Sequence, residues 1–354
     1  MTGVGRLISA RCQSAYWVGA ELRIVNYLTR RTFRADPVTL EVIRFFADPK
    51  TIREAMREFR LYTHASVGEA IVQMLAAGIL LQCDSPQWAQ DDLLDRSWKP
   101  WLPEAALHFL TKDTAYAGAD WSSEQILQIV SKGPSPLLYK KTRSAESVQL
   151  PRAGRPRDAF FDTLHARRTR REFADSAVPL ETVATLLHTT WGVQGYHTTE
   201  HFGELPLKTS PSGGARSPIE VYLLALGVVG LDPGLYHYDT RGHVLDKISS
   251  QQDPARARAY CADQPYAGEA AALFIMTAVF ARTMWKYPHP RAYRVVLLDA
   301  GHLGQTFCLT ATRLGLACFT TAALKDTLIE EDLGVDGISE SVVYVAGMGM
   351  PLCQ

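Results

Sequence analysis

The sequence predicts an α+β protein in which a small winged-helix-like module precedes a larger mixed domain. Three observations carry this. Helix caps cluster between residues 36 and 83, strand-like alternation interleaves with helical spacing from Phe160 onward, and no repeat or low-complexity tract interrupts either region. At 354 residues the chain is long enough for two domains, or for one domain with a large addition.

Charge excludes some functions. Lys+Arg and Asp+Glu number 37 each, so no net field steers the chain toward nucleic acid or an acidic membrane surface. No apolar run approaches a membrane span. MTGVGRLISARCQSAYW lacks the apolar core of a signal peptide, and a cytoplasmic location is expected. Cys12, Cys83, Cys261, Cys308, Cys318 and Cys353 form no CxxC pair and have no His-flanked metal spacing, so reduced thiols and no metal site are expected.

The N-terminal module, placed at residues 1–95, is read from its punctuation. ELRIVNYLTRRTFRA is strand material. Asp36-Pro37 supplies an N-cap and a first-turn proline ahead of Leu40, Ile43 and Ala47. Thr51 with Glu54, and Ser66 with Glu69, each read as a capping box opening a helix. Gly78 ends the last of these helices, and ILLQC follows as a strand. Residues 1–83 hold 11 Lys/Arg against 7 Asp/Glu, which raises the question of DNA binding. The third helix, VGEAIVQMLAAGI, has no Lys or Arg with which to read bases or phosphates, and this argues against it. The stretch QDDLLDRSWKPWLPEAALHFLTKD predicts a short helix. Residues 96–158, rich in Pro, Ser and Lys/Arg toward their end, are expected to be a linker or substrate-side segment.

The second domain, residues 159–354, opens with FFDTLHARRTRREF, a short helix entering a basic turn. PLETVATLLHTTWG is an amphipathic helix with Val183, Leu186, Leu187 and Thr190 inward. IEVYLLAL, GLYHYD, EAAALFIMTAVF and SVVYVAGMGM read as strands, the third of them central. RAYRVVLLDAGHLGQTFCLTATRLGL is a long helix with Val296, Ala300, Leu303, Phe307, Ala311 and Leu314 on its inner stripe. Three short segments suggest a site. RRTRR at 167–171 offers guanidinium forks and a hydroxyl to a phosphate. The adjacent glycines of PSGGARSP let backbone approach a flat ring. GLACFTTAALKD reads as a helix end running into small residues that can pack on a ring.

The order RRTRREF, PSGGARSPIEVYLLAL, GLYHYD, KY, RAYR, AGHLGQ and closing VYVAGMGMP resembles the SagB-type dehydrogenases, FMN enzymes of the nitroreductase-like fold that mature ribosomally made peptides. Residues 36–83 resemble the PqqD-like peptide-recognition element, in which the leader of a precursor peptide adds a strand to the small sheet. The first resemblance implies FMN as cofactor. Arg167, Arg168, Thr169 and Arg171 are implied at its phosphate, and Pro211, Ser212, Gly213, Gly214, Ala215 and Arg216 at its ring. Thr320, Thr321, Ala322 and Ala323 are implied along the ring's other side. It also implies a homodimer, a precursor peptide as substrate, a cyclodehydratase as partner, and Lys286 and Tyr287 as catalytic residues. Azoline oxidation removes a proton from the α-carbon and a hydride from the β-carbon, so a base is needed beside the hydride acceptor. Arg282, Arg291 and Arg294, with Trp285, Tyr287 and Tyr293, are expected around Lys286, where cationic neighbours and aromatic burial favour a neutral amine. Ser217 stands where many relatives have His. Those relatives also continue past the closing strand, whereas this sequence ends at Gln354, so the arginine turn or a partner subunit is expected to carry the phosphate charge. The same scaffold supports an NAD(P)H-dependent reductase of dehydroamino acid residues or of small nitro or enone compounds, and the absence of GxGxxG does not separate the two.

Overall fold

A computed structural model describes residues 5–115, 158–250 and 252–352, with isolated positions between 124 and 156. The Pro- and Lys/Arg-rich part of the expected linker lies outside the described residues. Gln13–Val18, Glu21–Asn26 and Arg31–Ala35 form an antiparallel three-stranded meander, and Leu7–Ser9 pairs with Leu80–Gln82. Helices Pro37–Phe45, Ile52–Glu58 and His64–Ala77 pack on this framework around Leu7, Ile24, Phe46, Ile71 and Leu80. Asp36 caps the first helix and the Thr51–Glu54 box closes on itself, as expected. The third helix begins earlier than expected: the Thr63 hydroxyl accepts the Ser66 N–H, so Ser66 sits inside the first turn. Gly78, at φ 73°, ends it in the left-handed conformation that glycine adopts without strain.

The boundary expected near residue 95 falls inside a helix. Pro86–Trp98 leads through a 3₁₀ turn, Lys99–Trp101, into helix Leu102–Thr111. This strap is core material rather than linker. Trp98 and Trp101 are fully buried and share one hydrophobic cluster with Phe280, Tyr293 and Val296 of the second domain. Burying an indole removes about 150–250 Å² from water, a gain of about 4–6 kcal/mol before ordering entropy is counted. At its other end the strap holds the module, where the buried Asp91 carboxylate accepts the backbone N–H groups of Arg11 and Cys12 at 2.9–3.0 Å.

The second domain is built on a six-stranded antiparallel sheet. Its order is Val244–Ser249, Gly234–Asp239, Ile219–Ala225, Ala272–Val279, Glu340–Gly349 and Ala317–Thr321. EAAALFIMTAVF is central, as its unbroken apolar run predicts, and is buried on both faces. GLACFTTAALKD starts at the helix end that was expected, with Gly315 at φ 76° just past the C-cap Leu314, and its small residues then form an edge strand, Ala317–Thr321, paired in register with Val345–Gly349. One face of the sheet carries the long helix Tyr293–Arg313 and helix Leu180–Trp191, and the other carries Pro254–Tyr260, Pro265–Glu269 and Asp326–Leu333. The long helix buries the predicted stripe through Ala311, but Leu314, at the helix C-cap, is partly exposed. Among the described residues no helix is long and apolar enough to cross a membrane. The five described cysteines are free.

A buried polar chain ties the strap to the sheet. Tyr293 Oη donates to His108 Nδ1, His108 Nε2–H donates to Ser341 Oγ, and Ser341 donates to Glu330, which also pairs with Lys112 at 2.5 Å. The direction follows from the carboxylate end, because Glu330 can only accept from Ser341, and this fixes the imidazole tautomer. Burial, assisted by the nearby Lys112 charge, pushes the His108 imidazole down to about 3. His108 is therefore neutral when folded and protonated in the acid-unfolded chain. Its contribution is fully present above about pH 6.5 and is lost as pH falls, at about 1.4 kcal/mol per pH unit. Urea denaturation across pH 4–7 should show this slope in the wild type and a shallower one in His108→Gln.

Candidate functional site

The site is organised by three polar residues on the long helix at spacing i, i+3, i+7. The buried Asp299 accepts the Ser212 hydroxyl at 2.6 Å and the Gly213 N–H at 3.1 Å. His302 Nδ1–H donates to the Pro211 carbonyl at 3.2 Å, and Thr306 meets the Ser210 hydroxyl at 2.7 Å. The loop thus runs antiparallel to the helix and is zipped onto it residue by residue. Burial pushes the Asp299 carboxyl up, against the lowering effect of its two donors. None of Asp299, His302 and Thr306 was foreseen at the site, although their shared face on a helix with an apolar stripe is a signal.

This zipper changes what the glycines do. The Gly213 N–H faces Asp299 rather than an open ring edge. The Ser212 hydroxyl is occupied as donor to Asp299 and as acceptor from the Ser217 N–H. A Cβ on Gly213 would lie 2.1 Å from Val295 Cγ1. One on Gly214 would lie 2.5 Å from Tyr287 Oη and 2.9 Å from Lys286 Nζ. Gly214 also has φ 63°, and Ala215 and Ser217 share that left-handed region. Gly213 therefore makes room for Val295 and Gly214 for the Lys-Tyr pair.

Lys286 ends helix Phe280–Lys286, because Tyr287 precedes Pro288 and is held out of the helical region, at φ −127° and ψ 76°. The Lys286 ammonium donates to the Gly214 carbonyl at 3.4 Å and lies over the Phe202 ring at 4.5 Å. Phe202 comes from the tip of the hairpin Gly195–Thr199/Gly203–Leu207 and was not foreseen. Arg216 joins this group by stacking near Trp285 and Phe202. The expected cationic company around Lys286 is arranged differently. Arg282 pairs with Glu220 at 2.5 Å and donates to the Ser217 carbonyl, while Tyr293 turns inward to His108. Arg291 and Arg294 line, with Gly213, Tyr287, His289 and Val295, a cavity of about 450 Å³. A second cavity, of about 580 Å³, reaches from Arg216 to Lys208, Glu220 and His237. There, burial holds Lys208 below the ordinary lysine range, and the hydrogen bond to Glu220 holds His237 above the ordinary imidazole range.

The remaining predicted residues form a separate cluster. Arg168, Thr169 and Arg171 are exposed and Arg167 is half-buried, and among the described residues none of these arginines is in a salt bridge. The Arg170 N–H donates to the Cys318 carbonyl, which attaches the basic turn to the strand that carries Thr320 and Thr321. Arg171 lies over the Tyr266 ring at 5.1 Å. Thr321 Oγ1 accepts the Ala323 N–H, and Ala322 is exposed beside it. The basic turn follows helix Ala159–Ala166, which packs near Leu309 and Thr310 of the long helix. Asp299 is ten residues away, about 15 Å along the axis. The chain thus presents two groups of site residues, toward opposite ends of one helix.

Gly214→Ala should destabilise the fold by about 1–3 kcal/mol through strain and overpacking. In a Tyr287→Phe background, which lacks the nearest clashing oxygen, the penalty should shrink. A denaturation double-mutant cycle measures the difference.

The model of the nitroreductase family matches residues 164–350, just over half of the chain. Over 159 residues the chain is 35% identical to the trifolitoxin-processing protein TfxB of Rhizobium leguminosarum bv. trifolii, covering 43% of this chain and 40% of TfxB. It is 31% identical over 174 residues to a Methanocaldococcus jannaschii protein named as a nitroreductase, covering 49% of this chain and 83% of that one. The microcin B17-processing protein McbC of Escherichia coli is 27% identical over 131 residues, covering 36% of this chain and 48% of McbC. The chain therefore spans less than half the length of either of these two processing proteins. With its antiparallel sheet, central helix and basic opening turn, it belongs to the nitroreductase family.

Proposed function

We propose that this oxidoreductase matures a ribosomally made precursor peptide by oxidising thiazoline or oxazoline rings to thiazoles or oxazoles, with FMN as cofactor. The observation that carries the reading is the convergence of Lys286 and Tyr287 on the Gly213–Gly214 turn, a space that any side chain at Gly214 would fill. The processing roles in the names of TfxB and McbC support it. The guanidiniums of Arg167, Arg168 and Arg171, without carboxylate partners among the described residues, fit a phosphate together with the Thr169 hydroxyl, since forked N–H donors match its oxygens. Thr320, Thr321, Ala322 and Ala323, and Pro211 through Arg216, are the residues that would border the ring. Bound there, the flavin supplies the hydride acceptor. Lys286 then removes the α-proton, for which it must first be neutral, and the Tyr287 hydroxyl orients the ring nitrogen.

The separation of the two clusters supports a homodimer, in which the arginine turn of one copy and the Lys-Tyr pair of the other border one flavin. Leu297 and Leu298 on the long helix, and Phe160 and Leu164 on the helix before the arginines, expose apolar surface for such a contact. In the N-terminal module, Val38, Val42, Phe59, Tyr62, Val67 and Ile71 line an apolar groove that continues along the edge strand Arg31–Ala35. An added leader strand would find backbone partners and side-chain pockets there. A cyclodehydratase supplies the azoline.

Incubating the FMN-loaded protein with an azoline-bearing precursor should remove two hydrogens per ring by mass spectrometry. Unchanged mass, together with rapid anaerobic bleaching of the flavin by NADPH, would favour the reductase instead. Lys286→Ala should keep its flavin spectrum and lose about 10²–10⁴-fold in rate. Arg168→Ala/Arg171→Ala should weaken FMN binding, read by fluorescence titration. Val67→Asp should raise the KM for a full precursor and leave that for a leaderless peptide unchanged.

A further inference from the structure

The Lys286–Tyr287 pair sits on a segment that has few means of holding itself. Pro288 and Pro290 have no N–H to donate, and Tyr287, the helix C-cap before Pro288, has left helical backbone geometry. Its carbonyl is directed into the protein, where a polar group without a partner is costly. The partner comes from 186 positions earlier in the chain: Trp101 Nε1–H donates to the Tyr287 carbonyl at 3.1 Å. Trp101 is fully buried and packs edge-on against Trp98 and Tyr293, so its donor is fixed in direction. The far end of the segment is held from the same strap, through His108 and the Tyr293 hydroxyl. Both ends of the segment that bears the Lys-Tyr pair therefore hang from residues 98–111.

We infer that Trp101 is a positioning residue for the reaction: its indole N–H sets the height of the Tyr287 carbonyl, and through it the approach of Lys286 and Tyr287 to the Gly213–Gly214 turn. The inference rests on the role proposed for that pair. The strap begins where the peptide module ends and is pinned to it by Asp91. The part of the chain assigned to capturing the peptide thus also holds the chemistry in place.

Trp98 provides an internal control. Its indole N–H is equally buried and donates to the Ile338 carbonyl at 2.9 Å, on the loop before the closing strand rather than on the Lys-Tyr segment. Trp101→Phe and Trp98→Phe each keep an aromatic ring and remove one such donor. If Trp101 positions the pair, Trp101→Phe lowers kcat about tenfold or more at unchanged KM for the precursor and unchanged flavin content. Trp98→Phe then loses comparable thermal stability with a much smaller change in kcat. Equal kcat losses in the two variants, tracking stability, would reduce Trp101 to a packing residue and overturn the inference.

A second readout does not depend on turnover. Trinitrobenzenesulfonate labelling of Lys286, mapped by mass spectrometry in the full-length FMN-loaded protein, should change several-fold in Trp101→Phe and stay at the wild-type value in Trp98→Phe. An unchanged rate in Trp101→Phe would equally overturn the assignment. If the wild type leaves azolines untouched while the labelling contrast holds, the azoline reading fails and the positioning role stands.

Discussion

The site depends on one buried carboxylate. Asp299 lies on the inward face of a helix whose neighbouring inward positions are apolar, and a charge buried there is unstable without donors. It finds two, on Ser212 and Gly213, and so the loop must lie flat on the helix. Much of the local geometry follows. Gly213 lies flush against Val295, where even a methyl group has no room. Gly214 turns left-handed and directs its carbonyl at the Lys286 ammonium. The Ser212 hydroxyl, oriented by Asp299, takes the Ser217 N–H and closes the turn. His302 and Thr306 extend the same register toward the preceding hairpin, whose tip puts Phe202 over Lys286. A sequence change at Asp299 would release the Ser212–Gly213 turn while His302 and Thr306 still hold Pro211 and Ser210, and the contact from Lys286 to the Gly214 carbonyl, long at 3.4 Å, would not replace it.

Where a pattern is local, the chain was legible. Asp36-Pro37, the Thr51–Glu54 box and Gly78 are short-range signals, and each does what its chemistry dictates. Apolar runs located the central strand and the long helix because burial on both faces, or on one stripe, leaves a direct trace. The failures have physical reasons as well. Residues 96–111 were assigned to the linker because Pro100, Pro103 and scattered charges break the apolar period. The value of that stretch lies in two indoles finding distant carbonyls, which no local pattern records. Ala317–Thr321 was read only as small residues after a helix end because it carries no clear period, and only its pairing with the closing strand makes it a strand. Gly214 also leaves the space that Tyr287 and Lys286, 72 positions away, fill, and this went unread because a glycine records room in one dimension without recording what occupies it.

The strap and the buried polar chain answer a different need. The N-terminal module alone has a small core, and a module joined to the second domain by loose chain would add only effective concentration. Here the joint is rigid. Asp91 fixes the strap to the module, the indoles of Trp98 and Trp101 fill the second domain's core, and Lys112 with Glu330 closes the far end. Removing one partner of that buried pair would cost more than the pair itself contributes, because a lone buried charge remains. The arrangement therefore favours geometry over raw stability, as suits an element that carries the Tyr287 carbonyl on its Trp101 donor.

The same logic bears on the two clusters of site residues. The arginine turn is fixed to the edge strand through Arg170 and Cys318, and the glycine turn is fixed to the long helix through Asp299. Both attachments are to rigid elements, so the distance between the clusters cannot close by a loop movement. On the proposed reading, a phosphate at the first and a ring at the second would be bridged either by the full length of one extended cofactor along the helix or by a symmetry-related copy that brings its own glycine turn to the first copy's arginines. The second arrangement uses the exposed Leu297, Leu298, Phe160 and Leu164 that the first leaves in water. It also repeats itself about a twofold axis, giving each copy the same pair of contacts. On burial and symmetry together, the dimer is the arrangement that leaves less of this chain unexplained.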